Sequence, residues 1–296
     1  MRRALSCFGL ALVPVFAHAD DFDYQIDFSA TQIDIDTTIT STFPGAPPST
    51  FEDDVSVQLF SLGGTWFFNG LSDDTGPRAQ AAFVDRASLL SLTYAHASGD
   101  ADSSNISIAG RYVWKNSGWF VSGGYDDNDQ GDFIDVSRLT IGVGKYIGET
   151  TSIAFSLIEQ EIEIEATTLF DSQSNSEAGA VLSFEHLGDL GSQWQYATSV
   201  SASNESFNDA SGRYVASFSL YPNRDSSFDA EVTGELGGGG SGSTAFSLGA
   251  GWFFTPRLQG RFNVGFLNDG DEGPQNQFID VDTDNTQIGL SVRYRF

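Results

Sequence analysis

The chain of 296 residues is poor in cysteine, methionine and basic residues. Its one cysteine, Cys7, cannot form a disulfide bond within the chain, so packing or closure of a sheet must hold the fold together. With 14 Lys and Arg against 40 Asp and Glu, the formal net charge of −26 excludes a nucleic-acid-binding protein, because phosphate contacts need a basic face. No segment beyond the N-terminal region approaches the roughly 20 apolar residues of a transmembrane helix.

Glycine and aromatic residues are abundant instead. The chain has 32 Gly and 25 Phe, and 13% of its residues are aromatic, which excludes a disordered protein because disordered chains are poor in aromatic residues. Many Gly and aromatic residues with few Lys and Pro are typical of an all-β protein with many short strands. We therefore expect neither a helical protein nor an α/β enzyme.

The N-terminus has the three parts of a secretory signal peptide. Residues 1–3 are a basic start, residues 4–16 are an apolar run, and Ala17-His18-Ala19 is a small-x-small cleavage site. The apolar run is too short to span a membrane. We expect residues 1–19 to be a signal peptide that is cleaved near Ala19, and residues 20–296 to form a single domain.

Apolar and polar residues alternate with a period of two along the mature chain. The C-terminus is the clearest case, with the apolar residues Ile288, Leu290, Val292, Tyr294 and Phe296. Each strand has one apolar face and one face too polar for a protein core. A transmembrane barrel turns the apolar faces to lipid and the polar faces to a wet lumen, and apolar spans of about ten residues suit a tilted membrane strand. The pattern predicts an antiparallel transmembrane β-barrel rather than a soluble sandwich.

The alternation predicts fourteen strands, at residues 22–35, 54–68, 80–97, 104–115, 118–127, 132–147, 151–165, 176–187, 192–204, 211–221, 226–236, 243–254, 257–268 and 285–296. An even number returns both ends to the periplasmic rim, with short periplasmic turns and longer, more acidic extracellular loops. The turn at residues 69–79 is the one member of the short set that is too long. Within strand seven the apolar residues change parity, which predicts a β-bulge near Leu157.

The five tryptophans give an independent test of this arrangement. All of them fall at strand ends on the predicted periplasmic rim, as an interfacial aromatic girdle should: Trp66, Trp114, Trp119, Trp194 and Trp252.

Charged residues on the polar faces are expected to line the lumen, where charge tunes selectivity. These pore-lining candidates are Arg111, Arg138, Arg213, Arg261, Arg293, Arg295, Asp229, Glu231, Glu235, Glu161 and Glu163, and Asp27 has the same parity on the first strand. Arg261, Arg293 and Arg295 predict one basic wall, with acidic walls on strands seven and eleven and a transverse field between them.

Barrel size and loop length predict how open the lumen is. Fourteen strands favour an open channel over a plugged barrel, since eight strands barely hold side chains and sixteen leave an aqueous channel. The loops at residues 36–53 and 269–284 are the only ones long enough to fold inward. The acidic loops are interpreted as a solvated rim that concentrates cations at the mouth, rather than as calcium sites.

Candidates for catalysis are scarce. The mature chain has two histidines, His96 and His186, and neither has a serine and an acid evidently arranged around it as a catalytic triad. Without cysteine, two separated histidines do not indicate a transition-metal site. We expect no enzyme activity and no catalytic, cofactor-binding or metal-binding residues.

Two segments resemble known outer-membrane proteins. A chain that ends with an aromatic residue on an amphipathic strand, here Tyr294 and Phe296, resembles the barrel insertion signal. The segment GPRAQAAFVDRAS at residues 76–88, after GTWFF at residues 64–68, is similar to a segment of the putative general bacterial porins of Gram-negative bacteria. The resemblance implies a single-domain outer-membrane barrel that passes small hydrophilic solutes.

We therefore expect an integral outer-membrane, porin-like channel for passive diffusion of small hydrophilic solutes, mildly cation-selective because of its acidic rim. One alternative is a substrate-specific channel, for example for an oligosaccharide. Another is a closed structural or adhesive barrel that acts through its acidic loops. The expected partners are outer-membrane lipid and lipopolysaccharide, the barrel-assembly machinery, small polar solutes and, as an open alternative, further copies of the chain.

Overall fold

The structure is a computed structural model of the chain. It describes residues 21–41, 49–72, 76–99, 102–130, 134–164, 173–192, 194–204, 212–235, 244–268 and 279–296. The predicted signal peptide and its cleavage site near Ala19 lie outside these residues.

The described residues form fourteen strands. They are β1 (Asp21–Ser41), β2 (Ser49–Ser72), β3 (Leu89–Gly99), β4 (Ser103–Trp114), β5 (Trp119–Asp129), β6 (Ile134–Ile147), β7 (Thr151–Ile164), β8 (Gln173–Leu190), β9 (Trp194–Asn204), β10 (Arg213–Asn223), β11 (Ser226–Glu235), β12 (Thr244–Phe253), β13 (Leu258–Asn268) and β14 (Ile279–Arg295). A 3₁₀ turn at Arg78–Gln80 and the short helix α1 at Ala81–Val84 lie between β2 and β3.

The strands form one closed antiparallel barrel. Each strand pairs with its neighbours in sequence, and β1 pairs with β14 in a continuous register from Gln25↔Arg295 to Ser41↔Ile279. The start of β1 and the end of β14 therefore lie together at the rim that carries the tight turns, which is the periplasmic rim in barrels of this kind. The predicted antiparallel barrel of fourteen strands is confirmed.

Glycine closes three of the tight periplasmic turns. Gly118, Gly148 and Gly191 adopt φ angles of 70°, 68° and 74°, a left-handed conformation that strains other residues. These turns join β4 to β5, β6 to β7 and β8 to β9.

Apolar side chains cover the outside of the barrel across the middle of the strands. Leu62, Leu92, Ile141 and Leu290 are each more than half exposed in the isolated chain, as lipid-facing side chains must be. All five tryptophans also face outward near the periplasmic ends of strands, and Trp114 pairs with Trp119 across the β4–β5 turn. This arrangement matches the predicted aromatic girdle.

Towards the extracellular end of β7, the apolar residues change from the outer to the inner face, although the pairing register of the strand does not change. β7 pairs residue by residue with β6 and β8 along its whole length, so the β-bulge predicted near Leu157 is wrong. Glu161 and Glu163 share the outer face with Leu157, while Gln160, which lies between Leu157 and Glu161, is buried inside. Above the hydrocarbon layer the outer face meets water, where a carboxylate carries no desolvation cost.

The wall is tallest where the two ends of the chain meet. β1 has 21 residues, β2 has 24 and β14 has 17, whereas β9 to β13 have 10 or 11. These strands take up most of residues 36–53 and part of 269–284, which were predicted to be long loops. The remaining residues, 42–48 and 269–278, lie outside the described chain.

The connection between β2 and β3 folds into the barrel instead. Residues 76–88, named the plug segment here, contain the 3₁₀ turn and α1. None of the helices described is long and apolar enough to cross a membrane.

Candidate functional site

Phe83 anchors the plug segment inside the periplasmic end of the lumen. Its ring centroid lies 5.4 Å from that of Tyr146, and its side chain is 8% exposed. Five inward-facing side chains from five different strands form the cluster around it: Val113, Phe120, Tyr146, Leu187 and Tyr221. Burial of a phenylalanine of this kind stabilises a fold by roughly 2 kcal/mol. The apolar cluster therefore fixes the plug segment to the β4–β10 side of the wall.

Polar contacts attach the plug segment to the β10–β11 turn on the opposite side of the barrel from β3. Arg78 forms an ion pair with Asp225, and its backbone N–H donates to the Arg224 carbonyl oxygen at 3.0 Å. Arg224 Nε in turn donates to the Gly76 carbonyl oxygen at 3.2 Å. These bonds hold the start of the plug segment across the mouth of the barrel.

The end of the plug segment is held to β4 and to the β4–β5 and β6–β7 turns. Lys115 Nζ lies 3.2 Å from Asp85 Oδ1, and Ser88 Oγ accepts a hydrogen bond of 2.9 Å from the Val113 N–H. Arg86, which has a φ of 51°, donates to the Gly148 carbonyl oxygen. A non-glycine residue in this conformation is strained, so the surrounding contacts must fix it.

The plug segment thus spans the periplasmic end from one wall to the other and narrows the exit. The expectation that residues 36–53 or 269–284 would be the segments to fold inward is not what the described chain shows. In the described residues the segment that folds inward is the periplasmic connection at 76–88.

A polar cavity of about 470 Å³ lies in the lumen against the plug segment. Ala79 and Gln80 of the plug segment form part of its lining, and Gln80 Nε2 donates to the Tyr221 hydroxyl at 2.8 Å. The wall comes from β10 to β14 and β1, with six serines: Ser29, Ser217, Ser219, Ser227, Ser247 and Ser291. A smaller cavity of about 120 Å³ shares Gln80, Ser217 and Ser219 with it.

Five charged side chains line the cavity: Asp27, Asp229, Glu231, Arg261 and Arg293. Arg293 Nε donates to Asp27 Oδ1 at 2.6 Å, and Arg261 Nη2 lies 3.3 Å from Asp229 Oδ2. Each arginine therefore has a carboxylate partner on the same side of the barrel.

The second of these pairs passes over Gly249 on β12. It lies opposite Asp229 on β11 and next to β13, which carries Arg261. A Cβ atom at position 249 would lie 3.4 Å from both Nε and Nη2 of Arg261. That distance is an ordinary van der Waals contact, so the guanidinium group of Arg261 lies directly over Gly249 as it reaches across β12 to Asp229.

The prediction of opposed basic and acidic walls is wrong. The carboxylates that neutralise Arg261 and Arg293 come from β11 and β1, which flank the basic strands β13 and β14. Glu161 and Glu163 on β7 were predicted to line the pore, but they lie on the outer face, where Ser174 Oγ donates to Glu161 Oε1 at 3.0 Å. At the membrane boundary the apolar residues of β7 move from its outer face to its inner face, although the strand keeps its register. The prediction took the apolar face to be the outer face along the whole strand.

Arg295 faces inward as predicted, but it does not line open space. It is 2% exposed, its Nε donates to Gln25 Oε1 at 3.1 Å, and its Nη2 donates to the Arg78 carbonyl oxygen at 3.1 Å. Its guanidinium also lies over the Phe253 ring. Arg295 is thus a buried link between the β1–β14 seam and the plug segment, and its assignment as a pore-lining charge is wrong.

The other predicted candidates are inward but away from the cavity. Arg111 lies over the Phe120 ring beside the apolar cluster, and Arg138 donates through Nε and Nη2 to Gln160 Oε1 on β7. Arg213 on β10 and Glu235 on β11 are register partners at the extracellular end. Together with the cavity residues, these side chains distribute charge along the barrel axis, from the apolar cluster to the extracellular end.

Sequence reasoning missed the plug segment and the cavity residues Gln80 and Tyr221. A signal was present in the overlong turn predicted at residues 69–79, but residues 80–97 were assigned to the third strand, whereas Ala81–Val84 form α1 and β3 begins at Leu89. A connection that only turned the chain in water would not bury a phenylalanine, so Phe83 indicates that this segment packs inside the barrel.

Neither histidine lines the larger cavity, and His186 is among the residues around the smaller one. His96 and His186 both lie on the outer parity of their strands, and Thr151 Oγ1 is 2.9 Å from His186 Nδ1. Within the part of the chain that the structure describes, no group of three or more His, Cys, Asp or Glu side chains could hold a metal ion.

A closed barrel with an apolar outside, an aromatic girdle and a polar interior defines the class of transmembrane barrels of the bacterial outer membrane. The chain belongs to the putative general bacterial porin family, whose sequence profile matches residues 28–283. No curated protein matches the sequence.

One solved structure supports the same fold. The chain is similar to Omp33 of Acinetobacter baumannii, with 14% sequence identity and a TM-score of 0.60 over 93% of this chain and 99% of that chain. It is also similar to OprB of Pseudomonas putida, with 8% identity and a TM-score of 0.45 over 94% of each chain. At these identities the likeness concerns the barrel fold alone.

Proposed function

We propose that this barrel is a channel through which small hydrophilic solutes diffuse across the outer membrane, with a mild preference for cations. The observation that carries the proposal is the polar cavity of about 470 Å³ inside a closed fourteen-strand wall. Three carboxylates and two guanidinium groups line that cavity, so its formal charge is negative. Negative charge in a confined lumen raises the local concentration of cations.

The plug segment makes the periplasmic exit the narrowest point of the proposed path. A fourteen-strand barrel is wide enough to leave an aqueous interior, so the plug segment rather than the wall limits the current. We therefore expect a smaller conductance than an unobstructed barrel of this size would give.

The test is a recording from single barrels of the mature chain in a planar bilayer, with a potassium chloride gradient across it. Discrete current steps with a reversal potential on the potassium side are the expected result. A reversal potential on the chloride side would contradict cation preference alone. A folded barrel that never conducts would contradict the channel itself.

The plug segment also favours a second candidate, a closed structural barrel that acts through its outer acidic surface. Contacts on both walls hold the segment across the exit, and Glu161 and Glu163 face outward above the membrane. The two candidates differ in one result: the wild type itself conducts if the barrel is a channel, and variants that loosen the plug segment should then conduct more. A closed wild type that conducts only after such a change would favour the structural barrel.

A substrate-specific oligosaccharide channel has little support. Sugar-binding channels need aromatic side chains along the path, and Tyr221 is the one aromatic residue among the described residues that line the cavity. Most aromatic residues of the barrel face outward.

We also propose that the chain is processed near Ala19 and assembled into the outer membrane through its terminal Tyr294 and Phe296. Lipid, lipopolysaccharide and the assembly machinery are then its partners, and further copies remain candidates. Mass spectrometry of the protein from outer membranes tests the cleavage, since a mature chain that starts at Asp20 is expected.

A further inference from the structure

The cavity offers charged groups of both signs whose hydrogen-bonding capacity is not used up. Arg293 bonds to Asp27 through Nε, and neither of its terminal nitrogens donates to another described residue. Arg261 approaches Asp229 with Nη2 and is half exposed to the cavity. Both guanidinium groups therefore present free N–H donors to whatever enters.

Glu231 supplies a carboxylate without a partner. It lines the cavity from β11, two residues nearer the extracellular end than Asp229, and it makes no hydrogen bond or ion pair with any other described residue. The carboxylate of Asp27, in contrast, already accepts from Arg293. The cavity thus combines one unpaired anion with two arginines that have donors to spare.

We propose that the cavity binds small zwitterions, of the class of free amino acids, on their way through the channel. The carboxylate of such a solute would accept from the terminal nitrogens of Arg261 or Arg293, and its ammonium group would donate to Glu231. Charge-assisted hydrogen bonds of this kind are stronger than neutral ones. The inference rests on the proposed function and names the solute class of that same lumen.

Solutes with one charge or none fit the cavity less well. A simple anion meets three carboxylates, a simple cation meets two arginines, and a neutral solute leaves the charged groups without a charged partner. The serine hydroxyls of the wall hydrogen-bond to any of these solutes and do not discriminate among them.

The test uses four solutes of equal size that differ only in charge: alanine, alaninamide, lactate and lactamide, which are respectively zwitterion, cation, anion and neutral. Their entry into liposomes that carry the full mature barrel is measured by swelling, at near-neutral pH. We expect alanine to enter about threefold faster than lactamide, because each end of the zwitterion gains a charged partner. Equal rates for the two would overturn the inference while leaving a conducting channel in place.

A charge-neutral double variant removes one pair from the cavity. Asp27→Asn with Arg293→Gln leaves the net charge unchanged, so the potassium preference should persist, while the preference for alanine over lactamide should fall because Arg261 alone remains to bind the carboxylate. The matched control is Arg213→Gln with Glu235→Gln, which changes a register pair of the lumen outside the cavity. The control should keep the preference, and its loss in both variants alike would overturn the inference.

Glu231→Gln tests the contact with the ammonium group of the solute separately from the contacts with its carboxylate. Entry of alanine should fall about threefold, while entry of lactate should rise, because a repulsive carboxylate is gone. If the wild-type barrel does not conduct, the proposed function fails and the site is tested directly by saturation-transfer NMR on the folded barrel in detergent. Transfer to alanine but not to lactamide would then support the site, and equal or absent transfer to both would overturn it.

Discussion

At the scale of single residues, Phe83 decides whether the plug segment stays in the lumen. Its ring contacts inward-facing side chains from β4 to β10, and the polar contacts of Arg78 and Asp85 lie at the two edges of the mouth. Exposed ion pairs contribute little in water, whereas a buried aromatic ring contributes several times as much. Phe83 therefore contributes more to holding the plug segment in place than the ion pairs of Arg78 and Asp85 do.

Replacement of Phe83 by alanine should loosen the plug segment. The fold should lose about 3 kcal/mol of unfolding free energy, because a large cavity opens in the apolar cluster, and the single-channel current should increase. Urea unfolding in detergent and bilayer recording measure the two effects. Phe184→Ala is the matched control, since its ring lies on the lipid face, and it should leave the current unchanged.

Phe296 has a different role at the seam of the barrel. Its N–H donates to the Tyr24 carbonyl oxygen at 3.0 Å, its own carbonyl oxygen accepts from Tyr24, and the two rings stack at 5.8 Å. Phe296→Ala keeps the backbone bonds and removes the ring, so we expect a smaller fraction of assembled barrel in the outer membrane. Gel mobility of unheated samples measures that fraction. An equal loss in Phe266→Ala, a lipid-facing ring within β13, would show that the terminal position is not special.

At the scale of elements, the alternation of a strand indicates which solvent each face meets, and it does not by itself fix which face is inside. The strand count, the closure and the girdle could be predicted because the outside of the barrel is apolar across the membrane. On β7 the outer face meets lipid at Leu157 and water at Glu161, so the pattern reversed while the strand ran straight. In a sequence, a β-bulge and a change from lipid to water outside the strand both shift the apolar residues to the other parity. Only the pairing of the strand with its neighbours distinguishes the two explanations.

The opposite orientations of Glu161 and Glu231 can be tested with two equivalent changes. Glu231→Gln should reduce the potassium preference of the channel, because it removes a carboxylate from the cavity. Glu161→Gln should leave the reversal potential close to that of the wild type, since this residue is outside the wall. Equal shifts in both variants would mean that β7 has been assigned the wrong face.

The charge pairs of the lumen could not be predicted because they depend on side chains that reach across a strand. Arg261 contacts Asp229 over Gly249, and nothing in the three separate sequence segments indicates that path. The plug segment was equally hidden. Its apolar run was visible, but its partners on β10 and β14 lie more than 140 residues further along the chain.

At the scale of the whole molecule, the formal net charge is −26, and the three carboxylates and two guanidinium groups of the cavity account for only −1 of it. Salt screens exposed charge over about 10 Å at 0.1 M and about 3 Å at 1 M. The potassium preference should therefore be larger at low salt and should fall as salt rises, as reversal potentials at a fixed gradient ratio would show. A preference that does not depend on salt would locate its origin in the cavity alone.

The early position of the plug segment in the chain has a consequence for assembly. Residues 76–88 are synthesised before β3 to β14, yet they bond to the β10–β11 turn and to Arg295 of the last strand. A closed wall with an apolar cluster inside leaves no side entrance for such a segment. The segment must therefore enter through the periplasmic mouth or before the wall closes, and its contacts with the β10–β11 turn and with Arg295 can form only after those late strands are in place.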